Sequence, residues 1–235
     1  ELERLLDLDS NTKANDELVM STKIESYTSK SQYLNTIKRI KHEIRDGNVY
    51  EVNYCLHHTA RISAKTNSFS LYERLSQLSP APYSAFFKSQ QWSLVSTSPE
   101  RYLRKSGSQI ISQPIKGTRP RGEDEDEDLQ MKIELQNSLK ERAENVMIVD
   151  LVRNDLAHTC EAGSINVKEL FGIYSYRQVH QMVSTISGTL REECDWTDVI
   201  RHSFPMGSMT GAPKIAAMKL IDEIENFKRG WYSGS

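Results

Sequence analysis

Residues 83–112 constrain the fold more than any other stretch. They read as four strand-like runs, 83–88, 92–97, 101–105 and 109–112. The turns Ser89-Gln90-Gln91 and Ser106-Gly107-Ser108 and the tight Ser98-Pro99-Glu100 join them, which predicts a meander of antiparallel strands. Residues 49–56 and 179–186 read as two more strands, with Asn53 in the first either an ordinary strand polar group or a site residue, and His180 on one face of the second. Helical spacing appears on both sides of this β-rich centre. Tyr33, Ile37, Ile40 and Ile44 form one stripe, with Ser29 or Ser31 as cap and Asp46-Gly47 as stop. Leu71, Leu75 and Leu78 mark a short helix ended by Ser79-Pro80-Ala81-Pro82. A long helical region covers 129–155, broken near Asn137-Ser138, with Ala143, Met147 and Leu151 as its apolar stripe and Val146 and Val149 beside them. Residues 196–204 form a helix, and Ile215, Met218, Ile221 and Ile224 lie along a last one, with Pro213 at its first position. Residues 162–164 are a turn and 167–176 short strands or loops. The pattern is α+β. The acidic run 123–128 reads as a solvated, self-repelling loop.

The bulk properties exclude several classes. A chain of 235 residues makes one large domain or two small ones. Its formal charge of −2 argues against a general nucleic-acid binder. No run of about 18 apolar residues exists, so no helical membrane span is expected. The charged opening Glu1-Leu2-Glu3-Arg4 is not a signal peptide. Cys55, Cys160 and Cys194 lie far apart without a Cys-x-x-Cys pair. They read as reduced thiols of a cytoplasmic protein rather than a disulfide framework or zinc site. His57-His58 has no acidic partner at ligand spacing.

Four stretches carry candidate chemistry. Pro114-Ile115-Lys116-Gly117-Thr118-Arg119-Pro120-Arg121 reads as a stiff loop, since prolines fix φ at both ends and Gly117 is free of a Cβ. Lys116 in it is a nucleophile, an anion clamp or a solvated cation. Glu100, after Pro99 at a strand boundary, is either a rigidly held carboxylate or a solvated turn residue. Glu144 flanks an apolar stripe, where a carboxylate is costly unless paired or bound to metal. The glycine-rich loop 207–214 enters a helix, where free N–H groups and the positive dipole end bind anions. Its spacing is not that of a Walker A loop, and a carboxylate ligand fits as well as a phosphate.

Six motifs then agree in order and spacing. Ser98-Pro99-Glu100-Arg101, the Pro114–Arg121 stretch, Glu141-Arg142-Ala143-Glu144-Asn145, Asp150-Leu151-Val152-Arg153-Asn154-Asp155, Val179-His180 and Gly211-Ala212-Pro213-Lys214 together resemble the chorismate-binding enzymes. That family includes the anthranilate, aminodeoxychorismate, isochorismate and salicylate synthases. Lysine at position 116 resembles the aminodeoxychorismate synthase component I branch, since anthranilate synthases typically carry alanine there. The resemblance implies antiparallel sheets packed as a sandwich with outer helices. It implies conversion of chorismate and ammonia to 4-amino-4-deoxychorismate, with a glutamine amidotransferase partner supplying the ammonia and Mg²⁺ as cofactor. By the same resemblance Lys116 is the covalent nucleophile, Glu100 the general acid, and His180 a further catalytic position. Ser208, Gly211, Ala212, Thr118 and Tyr232 are substrate-binding positions, and Glu144 is a metal ligand. An unperturbed lysine is only about one part in a thousand neutral near pH 7.4, so burial or nearby cations must activate it, with Arg119 and Arg121 as candidates.

The resemblance runs from about residue 33 to the end. Residues 1–30 read as the remnant of a preceding segment, and 31–235 as the chorismate-binding domain without its usual C-terminal part. That part normally supplies the second Mg²⁺ glutamate, an arginine for the pyruvyl carboxylate and a glycine-rich loop, none of which is assigned here. The sheet edges left by such a partial span make a homodimer one expected outcome.

Overall fold

The computed structural model describes residues 24–63 and 66–232. Most of the segment 1–30, read above as a remnant, lies outside the described residues. In chain order the elements are β1 (Glu25–Ser26), α1 (Lys30–Arg45), β2 (Glu51–Val52), β3 (His58–Thr59), α2 (Ser68–Leu78), β4 (Tyr83–Lys88), β5 (Ser93–Ser98), β6 (Arg101–Ser106), β7 (Gln109–Gln113), β8 (Ile115–Pro120), α3 (Glu125–Asn137), α4 (Leu139–Ala157), β9 (Asn166–Ser175), β10 (Val179–Thr189), α5 (Trp196–Ser203), β11 (Gly211–Ala212) and α6 (Lys214–Ile224). A single 3₁₀ turn, Gly207–Met209, precedes β11. The described residues divide into two compact units, one holding those of 24–26 and 58–98, the other those of 27–57 and 99–232.

In the first unit β4 and β5 form a hairpin in continuous register from Tyr83↔Ser98 to Lys88↔Ser93. Helix α2 begins where the Asn67 side chain accepts from Phe69 N at 2.9 Å. Phe69 and Tyr72 on that helix meet Phe86 of β4 with ring centroids 5.3 and 5.7 Å apart. No described residue of this unit is fully buried.

The second unit is built on β10, whose residues are buried on both faces as a central strand requires. β9 runs along one side of it. Along the other side β7 pairs with residues 186–189 and β8 with residues 179–183, so the two lie end to end. β6 completes the sheet beside β7, and every pairing is antiparallel. Helix α4 covers this sheet. Ile148, Val149, Val152 and Leu156 pack with Ile110, Ile186, Leu190 and Val199 into one core. Each fully buried Ile or Leu there contributes about 1.5–3 kcal/mol. A smaller cluster joins Val49 to Ala217 and Leu220 of α6. The α+β architecture and its antiparallel sheets are as expected, and α1 carries the Ser29 capping box.

Several local expectations are corrected. The four runs are not one meander: β4–β5 is a separate hairpin, while β6–β7 belongs to the five-stranded sheet. The Pro114–Arg121 stretch is not a loop but contains strand β8. Pro114 breaks the line between β7 and β8, and its carbonyl still accepts from Ser184 N at 3.2 Å. The acidic run is not a solvated loop. Asp124 caps α3 by accepting from Glu127 N at 2.9 Å, and Glu125 to Asp128 form the first helical turn. The positive end of the helix dipole offsets their mutual repulsion. The buried face of α4 runs through Asn145, Ile148, Val149, Val152 and Leu156, whereas Ala143 and Val146 are exposed. A buried asparagine hid that stripe. Of residues 49–56 only Glu51–Val52 is strand, paired with β11. Residues 166–175 are one long strand, with register shifts in its pairing to β10. Pro213 is the N-cap of α6 rather than its first residue.

Candidate active site

Lys116 sits on β8, and the local chain is fixed from behind. The Asn145 amide donates to Lys116 O at 3.2 Å and to Met182 O at 3.4 Å, while its own oxygen accepts from the buried Ser184 hydroxyl at 2.6 Å. Next to it Gly117 has φ 102°, and a Cβ there would stand 3.2 Å from side-chain atoms of Glu141, Leu135 and Met182. The Lys116 ammonium is ion-paired with Glu51 Oε1, with side chains 20% and 15% exposed. Glu51 belongs to β2, which pairs with β11 in the register Ala212↔Glu51 and Gly211↔Val52. The glycine-rich loop is thereby tied to the lysine strand. The expected cations are elsewhere. Arg119 donates to Glu141 at 3.3 Å, and Arg121 grips Asp128 through two bonds of 2.6 and 2.9 Å. A carboxylate, not a guanidinium, attends Lys116.

Glu100 immediately precedes β6 and lines a pocket with Ser112, Pro114, Asp155, Ser203 and Ser208. Ile115 N donates to its Oε1 at 3.4 Å. Burial pushes its carboxyl above the ordinary carboxylate range, opposed by Ser208, the Ile115 N–H and the Lys116 charge. The Ser208 hydroxyl is buried and close enough to exert that influence, yet it completes no hydrogen bond. Two of the lining residues are held by Lys214, whose Nζ donates to Asp155 Oδ2 at 2.6 Å and to Ser203 O at 2.8 Å. Burial raises Asp155 to about 6, outweighing the pull of Lys214. Burial likewise pushes the Tyr102 phenol up to about 12, against its 2.7 Å bond with Ser203.

The loop that carries Ser208 is held by its carbonyls. Asn53 Nδ2 donates to Ser208 O at 2.9 Å, Asn53 N to Thr210 O at 2.8 Å, and Arg229 Nη1 to Met209 O at 2.6 Å. Arg229 also donates to Asn53 O at 2.8 Å and is fixed by a nearly buried ion pair with Glu225. Gly211 has φ 139°, and a Cβ there would stand 2.1 Å from Glu51 O. Gly211 and Ala212 are buried in this pairing.

Glu100, Lys116, Ser208 and Gly211–Ala212 are therefore brought together. His180 is not in this group. It is 0% exposed, with Nε2 2.8 Å from Asp128 and Nδ1 2.9 Å from Ser175 Oγ, and serves to lock β10 to β9 and α3. Thr118 is exposed on β8 opposite Gln181, and Tyr232 is 61% exposed. Glu144 is half-buried, 3.6 Å from Lys140. Among the described residues no three His, Cys, Asp or Glu side chains converge at metal-holding distance, so Glu144 is not part of a three-ligand cluster there. Sequence reasoning missed Glu51, Asn145 and Arg229, and gave Asp155 and Lys214 no role. Glu51 was visible as the one charge in the run 49–56, and Asp155 and Lys214 lie inside motifs already quoted.

A buried acid, a lysine strapped to a carboxylate and an immobilised glycine-rich loop define an enzyme-like cleft for a small polar molecule. A model of the chorismate binding enzymes matches residues 1–235, and the chain belongs to this family. It is 39% identical over 220 residues to aminodeoxychorismate synthase component 1 of Escherichia coli, covering 94% of this chain and 48% of that protein. It is 43% identical over 213 residues to a probable chloroplastic aminodeoxychorismate synthase of rice, covering 88% of this chain and 23% of that one. The fold matches crystalline anthranilate synthase component I of Streptococcus pneumoniae with a TM-score of 0.85 at 26% identity, over 99% of this chain and 52% of that one. The chain thus spans about half, or less, of the length of these relatives.

Proposed function

We propose that this chain forms the chorismate-binding portion of an aminodeoxychorismate synthase, acting with a glutamine amidotransferase that supplies ammonia. The observation that carries the reading is the pair at the cleft: a carboxyl that burial keeps protonated to higher pH, Glu100, within electrostatic reach of Lys116. Identity near 40% to relatives named for that activity supports it. Lys116 Nζ in its free-amine form attacks C2 of the ring. The two conjugated double bonds relay the electron pair to C4, and the 4-hydroxyl leaves as water with a proton from Glu100. Ammonia then attacks C4 and the pair returns to expel Lys116. Two moderate displacements thus replace one difficult one. Ser208 and the Gly211–Ala212 segment bind the substrate, and Glu144 would be one carboxylate holding a Mg²⁺ ion, which when bound would supply charge neutralisation.

The test is turnover of chorismate with MgCl₂ and ammonium, products resolved by chromatography, for the chain and for Lys116→Ala. We expect 4-amino-4-deoxychorismate from the chain and a loss of about 100-fold or more in the variant. Anthranilate as the product of the unaltered chain would overturn the assignment.

A further inference from the structure

The proposed reaction needs Lys116 as a free amine, and the cations that sequence reasoning offered to activate it are committed to Glu141 and Asp128. The group on its nitrogen is Glu51. That carboxylate arrives from a strand far away in sequence, and its position is enforced. Its backbone is paired with Gly211–Ala212, and its carbonyl oxygen fills the space a side chain at 211 would need. Only one of its oxygens is used. Oε1 holds Lys116, whereas Oε2 is buried and has no hydrogen-bond partner. Oε2 is therefore a buried acceptor left without a donor. The partner from which it can take a proton is the ammonium on its other oxygen.

Resting on the reading above, we infer that Glu51 is the general base that activates Lys116. One N–H bond of the ammonium breaks as the O–H bond of the Glu51 carboxyl forms. The electron pair stays on Nζ, and a neutral amine and a neutral carboxyl replace a buried ion pair. Substrate entering the cleft excludes water, which favours the neutral pair. When ammonia expels Lys116, the same proton returns to Nζ.

Three variants test this. Glu51→Gln keeps shape and removes basicity. It should lower kcat by about 100-fold or more while KM for chorismate stays within about twofold. Glu51→Ala should lose as much and regain part of it with added formate, but not with chloride. Glu51→Asp should retain more activity than either. A Glu51→Gln variant within threefold of the wild-type kcat overturns the inference, as does an equal loss in kcat and gain in KM. If the wild-type chain makes no aminated product, the proposed function fails while Glu51 remains testable. Acylation of Lys116 by acetic anhydride, followed by mass spectrometry against exposed lysines, should slow several-fold in Glu51→Gln. An unchanged or faster rate means that Glu51 merely sequesters the ammonium.

Discussion

Asp155 and Lys214 form an ion pair whose side chains are 7% and 11% exposed. Because burial lifts Asp155 from 3.8 to about 6, the folded chain favours its protonated form. A raised carboxyl contributes stability that is complete below the unfolded value and is lost as pH rises through the folded one. Asp155→Asn does not titrate there. Wild type should therefore lose stability relative to this variant between about pH 4 and 7, by up to about 3 kcal/mol, and the difference should be flat above. Urea unfolding of both chains across that range measures it. Single residues also show what a sequence reveals. Lys116 and Glu100 were legible because each sits in a motif whose neighbours fix its setting. Glu51 was not, because its meaning depends on an ion pair with a strand far along the chain. Asn145 was quoted within a motif but given no role, since nothing local announces that a buried amide satisfies two carbonyls and a hydroxyl.

At the scale of elements, hairpins with short turns and capped helices were legible, because local chemistry decides them. Strand β8 was not. Its proline, glycine and two cations contradict strand propensity, and the edge of β10 overrides that propensity. The acidic start of α3 was missed for the opposite reason: like charges were weighed against one another instead of against the helix terminus. The β2–β11 pairing is two residues long, yet it joins the glycine-rich loop to Glu51 and so to Lys116. Gly211→Ala puts a Cβ into Glu51 O and an alanine at φ 139°. It should cost at least about 3 kcal/mol and lower activity together with stability. Thermal unfolding with a parallel activity assay checks both.

Across the whole molecule, burial is uneven. The unit containing residues 58–98 has no fully buried described residue, while the other holds the core of Ile110, Ile148, Leu156 and Ile186. Amide hydrogens of β4 and β5 should exchange at least about tenfold faster than those of β7 and β10 in native-state hydrogen exchange. Equal protection would mean that the chain opens as one cooperative body. No helix among the described residues is long and apolar enough to cross a membrane.

The loop from Met206 to Thr210 has three successive carbonyls tied down by Asn53 and Arg229 before any ligand arrives. The entropy of ordering that segment is therefore charged to folding rather than to association. A ligand docking there spends its interaction energy on affinity instead of on freezing the backbone. Calorimetric titrations against this loop would then record contacts and desolvation rather than chain ordering. Loosening Arg229 would move the cost back onto the binding step, weakening affinity without touching a single atom that meets the ligand.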